Sequence, residues 1–295
     1  MTGRLAAFLG RPRPVDVAST AAAELRAQVR RLEIRARQAM EAGLTGQYQS
    51  AFRGLGLEFE EVREYRFGDD VRTIDWNVTA RTGELYVKRY REERDLTVLL
   101  LVDLSGSTRF GSGVMTVHDL IAEVSSLFAL SAARRDRIGA ILFDDGLREV
   151  IPPRLGWRHG LRVVREVLGA TPAGSGTALG TAVRAAGRLL HRRGVVIAII
   201  DRSCPLPRRE LLALSARHEV VLVRAADELA IRGLAGSRLP VVDAESGRPG
   251  LVRGRPRDVA DPVPPGIDVV DLVTDTDYLP AVRTLLERRE KRVHA

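Results

Sequence analysis

The sequence predicts an α/β protein: a mostly parallel sheet with helices on both faces, preceded by an N-terminal helix and a small β-rich region. Two short continuous aliphatic runs, LTVLLLV at 96–102 and VVIAII at 195–200, are typical of strands buried on both faces of a parallel sheet. From Leu96 onward such runs alternate with amphipathic helical patterns. We therefore expect two parts, residues 1–95 and residues 96–295.

In the first part, apolar side chains recur at steps of three or four from Leu25 to Met40. This spacing predicts a helix over 20–42, and Gly43 offers a stop. Residues 58–67 and 84–93 are rich in β-branched and aromatic residues, which predicts two strands. Between them, the segment 68–83 has the composition of turns.

In the second part, the pattern predicts alternating strands and helices up to the C-terminus. The predicted strands are 96–104, 137–144, 147–153, 194–201, 218–225, 239–243 and 267–273. The predicted helices are near 116–134, 158–169, a segment ending at His191, 208–217, and one from about 277. The strands 137–144 and 147–153 are expected to form a hairpin around Asp144, Asp145 and Gly146. The region 226–266 is rich in proline and glycine.

Composition limits the classes of function. The chain has 295 residues and a formal charge of +8, and lysine occurs only at Lys88 and Lys291. Arginines interleaved with acids, as in EFEEVREYRFGDDVR, indicate a solvated, salt-bridged surface rather than a nucleic-acid stripe. A single cysteine, Cys204, excludes an internal disulfide and a cysteine-based zinc site. No run reaches the length of a bilayer span, and the start has too short an apolar stretch for a signal peptide, so a cytoplasmic protein is expected.

Polar oxygen-bearing residues follow the buried strands. Asp103 ends the first aliphatic strand and is followed by Ser105 and Ser107, and Asp201 ends the strand 194–201. Both aspartates should therefore lie at the carboxyl rim of the sheet, where α/β proteins bind ligands. Thr177 stands in the glycine-rich segment GSGTALG, which could reach the same rim.

This set contains oxygen donors only, which suit Mg²⁺ or Mn²⁺. With so few protein anions, a bound cation would stay electron-poor, and a carboxylate from a protein partner could complete its coordination. The alternative interpretation is structural, because Ser and Thr after a strand often cap a helix and a strand-end Asp often accepts from backbone amides.

Other functions stay open at this stage. The stretch containing Asp69, Asp70, Arg72, Asp75 and Trp76 could be a docking surface for a partner, or a carboxylate cluster for acid–base chemistry. Rather than acid–base chemistry, we expect a turn tied by its aspartates and ion-paired to its arginines, with the tryptophan packed on the sheet, and partner docking stays open. A metal-dependent hydrolase would need these carboxylates close to the strand-end aspartates. The third candidate is an arginine-rich nucleic-acid binder.

No motif for an enzyme of another class is present. The sequence has no G-x-x-x-x-G-K-[ST] for binding ATP, and DLSGS lacks the G-x-S-x-G nucleophile elbow of serine hydrolases. We therefore expect no catalytic residue and a non-enzymatic function.

The D-x-S-x-S motif, the later threonine and the second strand-end aspartate resemble the metal-ion-dependent adhesion site (MIDAS) of von Willebrand factor A domains. The segment YRFGDDVRTIDWNVTARTGELYVKRYREE is similar to the signature of the DUF58 (domain of unknown function 58) family, whose members contain an A-type domain. RLEIRARQ, FRGLGLEFEEVREY, LFDDGLREVIPP and RHEVVLV also fit that family.

The resemblance implies a von Willebrand factor A-like fold and a metal site made by Asp103, Ser105, Ser107, Thr177 and Asp201, the last acting through water. It also implies a MoxR-type AAA+ ATPase as partner, in chaperone-like assembly or metal insertion. The sequence departs from the family pattern after Asp201, where an arginine replaces the usual aromatic residue, and in the C-terminal third.

Overall fold

The computed structural model describes residues 17–52, 57–92, 96–172, 174, 176–232, 238–242, 248–253 and 260–293. The start of the chain, for which we expected no signal peptide, lies outside the described residues. None of the described helices is long and apolar enough to cross a bilayer.

The N-terminal helix has the predicted length but begins and ends three residues earlier, and it is followed by a second helix. Helix α1 spans Val17–Ala39, and a single π-turn, Met40–Leu44, leads into helix α2, Thr45–Ala51. Gly43 interrupts the helical path with a φ of 97°, a conformation that glycine adopts at little cost. The predicted stop at this glycine is therefore confirmed, whereas α2 lies in a segment for which no helix was predicted.

The β-rich region consists of two antiparallel strands, β1 (Leu57–Glu64) and β2 (Tyr86–Glu92), as predicted. The segment between them contains a 3₁₀ turn, Val71–Thr73, and a short helix α3, Trp76–Thr82, which the sequence reading did not anticipate. Helix α3 forms because the carboxylate of Asp75 caps its first amides and Gly83 ends it in the left-handed conformation.

The remaining chain alternates strands and helices as predicted. The strands are β3 (Thr97–Asp103), β4 (Arg137–Phe143), β5 (Leu147–Arg154), β6 (Val195–Asp201), β7 (Glu219–Ala226), β8 (Arg238–Val242), β9 (Pro249–Arg253) and β10 (Asp268–Val273). The helices are α4 (Val117–Ala132), α5 (Trp157–Gly169), α6 (Leu179–Leu189), α7 (Arg208–Ser215), α8 (Glu228–Arg232) and α9 (Leu279–Val293).

Six of these strands form the central sheet, in the order β10-β7-β6-β3-β4-β5. All neighbours pair in parallel except β4 and β5, which form the predicted hairpin at one edge. Strands β8 and β9 pair separately, where the sequence reading expected only one short strand.

The sheet is buried on both faces. Alternate residues of β3 point to opposite sides, so that Leu100 packs with α4 and α5 while Leu99 and Leu101 pack with α6 and α7. The structure is thus a mixed α/β fold with a mostly parallel sheet between helices.

Candidate metal centre

The two predicted strand-end aspartates are neighbours. Strand β3 lies between β4 and β6, so the chain leaves β3 and β6 in opposite directions at their carboxyl ends. Asp103 ends β3 and Asp201 ends β6 at this point, and the amide of Asp201 donates a hydrogen bond to Oδ2 of Asp103 at 3.3 Å. Such switch points are where open α/β sheets bind ligands.

The turn after β3 places the two serines beside Asp103. The other carboxylate oxygen, Oδ1, accepts from the amide of Ser105 at 2.8 Å. The hydroxyls of Ser105 and Ser107 lie 3.1 Å apart, at the start of a 3₁₀ turn over Gly106–Arg109. Asp103 and Ser105 are buried and Ser107 is half-buried. Four predicted ligands are therefore connected by hydrogen bonds.

The electrostatics of Asp103 fit a cation. Burial raises the pKa of its carboxyl to about 6, against the opposing effect of hydrogen bonds from Ser105 and the Asp201 amide. No basic side chain in the described part of the chain forms an ion pair with it. A buried carboxylate without a cationic partner is unfavourable on its own. A divalent cation held by these oxygens would supply the missing positive charge.

The carboxylate of Asp201 accepts hydrogen bonds within its own turn. Its Oδ1 accepts hydrogen bonds from both the amide and the hydroxyl of Ser203, each at 2.7 Å. The next side chain, Arg202, pairs with Asp271 on β10 at 2.9 Å. One oxygen of Asp201 is thus used within its own turn.

Thr177 is held near the rim through its loop. It lies two residues before α6, and its side chain makes no hydrogen bond to the other four residues within the described part of the chain. Arg109 donates to the carbonyl oxygen of Pro172 through Nε at 2.7 Å and also through Nη2. The amide of Ala178 donates to the carbonyl of Asp144 at 2.5 Å. These bonds tie the loop of Thr177 to the ends of β3 and β4.

One glycine of this loop is required by a close approach. Gly174 has a φ of 83°, and a Cβ added to it would lie 3.0 Å from the side chain of Asp144. Any other residue would be strained at this φ and would require the Asp144 side chain to move by a few tenths of an ångström.

Three further residues lie at the rim, and the sequence did not assign them to the site: Arg109, Asp144 and Asp227. Asp144 directly follows β4 and Asp227 directly follows β7. Of the five parallel strands, β3, β4, β6 and β7 therefore end in or are followed by an aspartate, whereas β10 is followed by Thr274. The rule that identified Asp103, an aspartate at the end of a buried strand, would also have identified Asp144 and Asp227.

Asp227 holds the segment that connects the turn of Asp103 to α4. Its carboxylate accepts from the amide and the hydroxyl of Ser112, at 2.9 and 2.7 Å, and from the hydroxyl of Thr274 at 2.9 Å. Burial alone would raise its pKa, but the hydrogen bonds from Ser112, Thr274 and the Leu229 amide outweigh burial and lower it. Asp227 is consequently a charged anchor.

The aspartates of the segment 68–83 serve local structure. Within the described residues, no three histidine, cysteine, aspartate or glutamate side chains are close enough to hold a metal together. The carboxylate cluster that a hydrolase would need, with Asp69, Asp70 and Asp75 beside Asp103, is therefore not formed there.

Each of these three carboxylates already has a partner. Asp69 pairs with both terminal nitrogens of Arg63, at 2.7 and 2.8 Å, and this contact lowers the pKa of Asp69. Asp70 is the N-cap of the 3₁₀ turn and accepts from the amide of Arg72. Asp75 caps α3 and contacts Lys88 at 3.5 Å. The segment is thus an ion-paired turn, although its basic partners are Arg63 and Lys88 rather than the arginines inside it.

Trp76 does not pack on the sheet. Its side chain is 67% exposed, and nearby Phe67 and Val71 are exposed as well. The packing considered for this tryptophan in the sequence reading is therefore wrong, and Arg72 is also exposed.

Fold and rim together define a mixed α/β protein with strand-end aspartates and serine hydroxyls at the switch point of a mostly parallel sheet. The chain belongs to the family described as "Protein of unknown function DUF58", whose model matches residues 61–257. The family that the sequence resembles is thereby confirmed.

Two mycobacterial relatives are themselves described as uncharacterized. The chain is 33% identical over 228 residues to uncharacterized protein Rv1480 of Mycobacterium tuberculosis and to uncharacterized protein Mb1516 of Mycobacterium bovis. The match covers 76% of this chain and 72% of each relative.

Two solved structures from Bacteroides are similar at low identity. One is described as an aerotolerance-related membrane protein from Bacteroides fragilis, with 14% identity, a TM-score of 0.45 and coverage of 67% of this chain and 99% of that one. The other is the conserved hypothetical protein BatB from Bacteroides thetaiotaomicron, with 15% identity, a TM-score of 0.45 and coverage of 66% and 99%.

Proposed function

We propose that the chain is a non-enzymatic, metal-ion-dependent protein interaction module, with a von Willebrand factor A-like domain over residues 96–295. Asp103, Ser105, Ser107, Thr177 and Asp201 would hold Mg²⁺ or Mn²⁺, with Asp201 acting through water. The bound cation would supply an open coordination position for an Asp or Glu of the partner.

The observation that supports this proposal most is the burial of Asp103 and the kind of hydrogen bonds that it accepts. It is a fully buried carboxylate whose two oxygens accept only backbone and serine hydrogen bonds, without a basic partner in the described residues. The neighbouring hydroxyls of Ser105 and Ser107 are neutral oxygen donors. This is the ligand chemistry of a hard divalent cation.

A non-enzymatic role agrees with what surrounds the hydroxyls. Within the described part of the chain, no histidine contacts Ser105 or Ser107, so neither serine has a general base beside it. The aspartates of 68–83 are engaged in capping and ion pairs.

The partner we propose is a MoxR-type AAA+ ATPase, acting with this chain in the cytoplasm on the assembly or maturation of other proteins. The test is the affinity of the purified ATPase for the immobilised chain at constant Mg²⁺, so that the ATPase itself is unaffected. Ser105→Ala/Ser107→Ala should weaken binding about tenfold or more by removing two oxygen ligands.

The matched control is Ser125→Ala/Ser126→Ala on α4, which removes the same number of hydroxyls away from the rim. Equal affinity of wild type and the Ser105/Ser107 variant would contradict the proposed mechanism.

The exposed segment between β1 and β2 is the second contact surface that we propose for this partner. Phe67, Val71 and Trp76 are 104%, 63% and 67% exposed, and Arg72, which lies in the same segment, is exposed as well. Exposed apolar groups of this kind are typical of interaction sites. Trp76→Ser should weaken ATPase binding without changing Mg²⁺ binding, and unchanged ATPase affinity would exclude this surface.

A further inference from the structure

A groove opens at the carboxyl rim beside the candidate metal centre. It has a volume of about 730 Å³ and lies between β5 and the carboxyl-terminal half of α5. Leu104 and Leu142 form its apolar floor. Leu104 directly follows Asp103 in the chain, so the groove lies within one residue of a predicted metal ligand, although none of the five predicted ligands lines it.

Arginines dominate the walls of the groove. Arg148 comes from β5, and Arg162 and Arg165 come from α5. Arg158, Arg162 and Arg165 are four and three residues apart, so they lie on one face of α5. The side chains of Arg148 and Arg162 are about half exposed, and Arg165 is exposed.

The acidic residues of the groove leave part of this charge unmatched. Glu149 and Glu166 also line it, and Arg162 approaches Glu166 only at 3.9 Å. Arg148 contacts Asp144 at 3.2 Å. Arg165 has no acidic partner within the described residues, so the groove contains at least one guanidinium available for an incoming anion.

We propose that this groove receives an acidic segment of the protein partner, in which a carboxylate beyond the one at the metal pairs with Arg165 and Arg162. The inference rests on the proposed function and names the chemistry of the partner. A guanidinium recognises a carboxylate through two parallel hydrogen bonds. The leucine floor accommodates an apolar side chain between the acids, which a nucleic-acid backbone does not offer.

The experiment is fluorescence anisotropy of a short labelled peptide that repeats Glu-Leu-Glu-Gly, added to the full chain with Mg²⁺. The matching peptide with Gln in place of Glu is the ligand control. Arg162→Gln/Arg165→Gln should weaken binding about tenfold or more, because two charge-assisted hydrogen-bonding groups are lost. Arg209→Gln/Arg217→Gln removes two exposed arginines on and after α7, gives the same change in net charge, and should leave binding nearly unchanged.

The other outcomes distinguish a failure of the proposed groove from a failure of the proposed metal mechanism. Absence of peptide binding to wild type, or equal losses in the two double variants, would overturn the groove. Binding that is lost in Asp103→Ala but unaffected by Arg162→Gln/Arg165→Gln would overturn the groove and leave the metal mechanism standing. Peptide binding that is unchanged by EDTA but requires the two arginines would support the groove and contradict the metal mechanism. An oligonucleotide that binds through these arginines more tightly than the peptide would overturn the assignment to an acidic protein segment.

Discussion

The amide of Asp201 donates a hydrogen bond to the carboxylate of Asp103 at 3.3 Å, so the ends of the neighbouring strands β6 and β3 meet at a buried, negatively charged point. The second oxygen of that carboxylate accepts from the amide of Ser105. Two backbone amides therefore orient Asp103, and no basic side chain in the described residues neutralises it. A buried carboxylate without a cationic partner costs stability.

Asp103→Asn should stabilise the metal-free protein near neutral pH. The folded-state pKa of Asp103, about 6, lies above the unfolded value near 4, so the folded protein binds more protons between these values. Its contribution to stability therefore falls as pH rises from about 4 to about 6. Asn removes the charge, and at pH 7 to 8 we expect a gain of about 1–2 kcal/mol in the free energy of unfolding, after the loss of one hydrogen bond.

The measurement is urea unfolding in EDTA across that pH range. The difference between variant and wild type should shrink towards pH 4. A variant that is less stable than wild type at pH 8 would show that the Asp103 charge is satisfied by other groups.

Arg109→Met should weaken Mg²⁺ binding without unfolding the protein. Arg109 is exposed, and its two hydrogen bonds to the Pro172 carbonyl hold the loop of Thr177 against the turn that contains Ser107. Loss of this contact should reduce affinity about threefold to tenfold, equivalent to one net hydrogen bond. Titration calorimetry checks the affinity, and an unchanged value would mean that Thr177 is not a ligand or that its loop is held by Asp144 alone.

Asp227→Ala should destabilise the fold by about 2–4 kcal/mol, because it leaves the Ser112 and Thr274 donors without an acceptor. Because the folded-state pKa is lowered, this stabilisation is present above about pH 4 and is lost as pH falls through the folded value. Asp275→Ala is the control, since Asp275 is exposed and accepts from the Met115 amide at 3.2 Å. Similar melting temperatures of the two variants would contradict the anchoring role.

Arg289→Met should cost about 3 kcal/mol, because it leaves two partly buried acids without their buried partner. Arg289 is 2% exposed, pairs with Asp268 and with Glu219, and lies over the ring of Phe52 at 4.8 Å. Arg292→Met removes a half-exposed arginine that pairs with the same Asp268, and it should cost less than about 1 kcal/mol. Chemical unfolding of both variants measures the two losses in the free energy of unfolding. Equal losses would show that the burial of Arg289 adds nothing to stability.

The sheet was predictable because the composition of each central strand identifies it as a strand. Buried parallel strands need continuous aliphatic runs, so β3 and β6 were recognisable without any knowledge of their neighbours. Helix α3 was missed because it is short and contains β-branched residues that disfavour a helix. It exists because Asp75 and Gly83 cap its two ends.

The candidate site was predictable only in part for a related reason. Asp103, Ser105 and Ser107 are close in sequence and form a visible motif, and a strand-end rule adds Asp201. Contacts such as that of Asp227 with Ser112 join residues 115 positions apart, and only the strand order brings them together.

The most direct test of the account is isothermal titration of Mg²⁺ and Mn²⁺ into wild type and Asp103→Ala/Ser105→Ala. We predict measurable binding to wild type and none to the variant, with the circular dichroism of the two proteins unchanged. Equal binding to both, or binding to neither, would contradict the metal centre and leave Ser105 and Ser107 as structural residues of the turn.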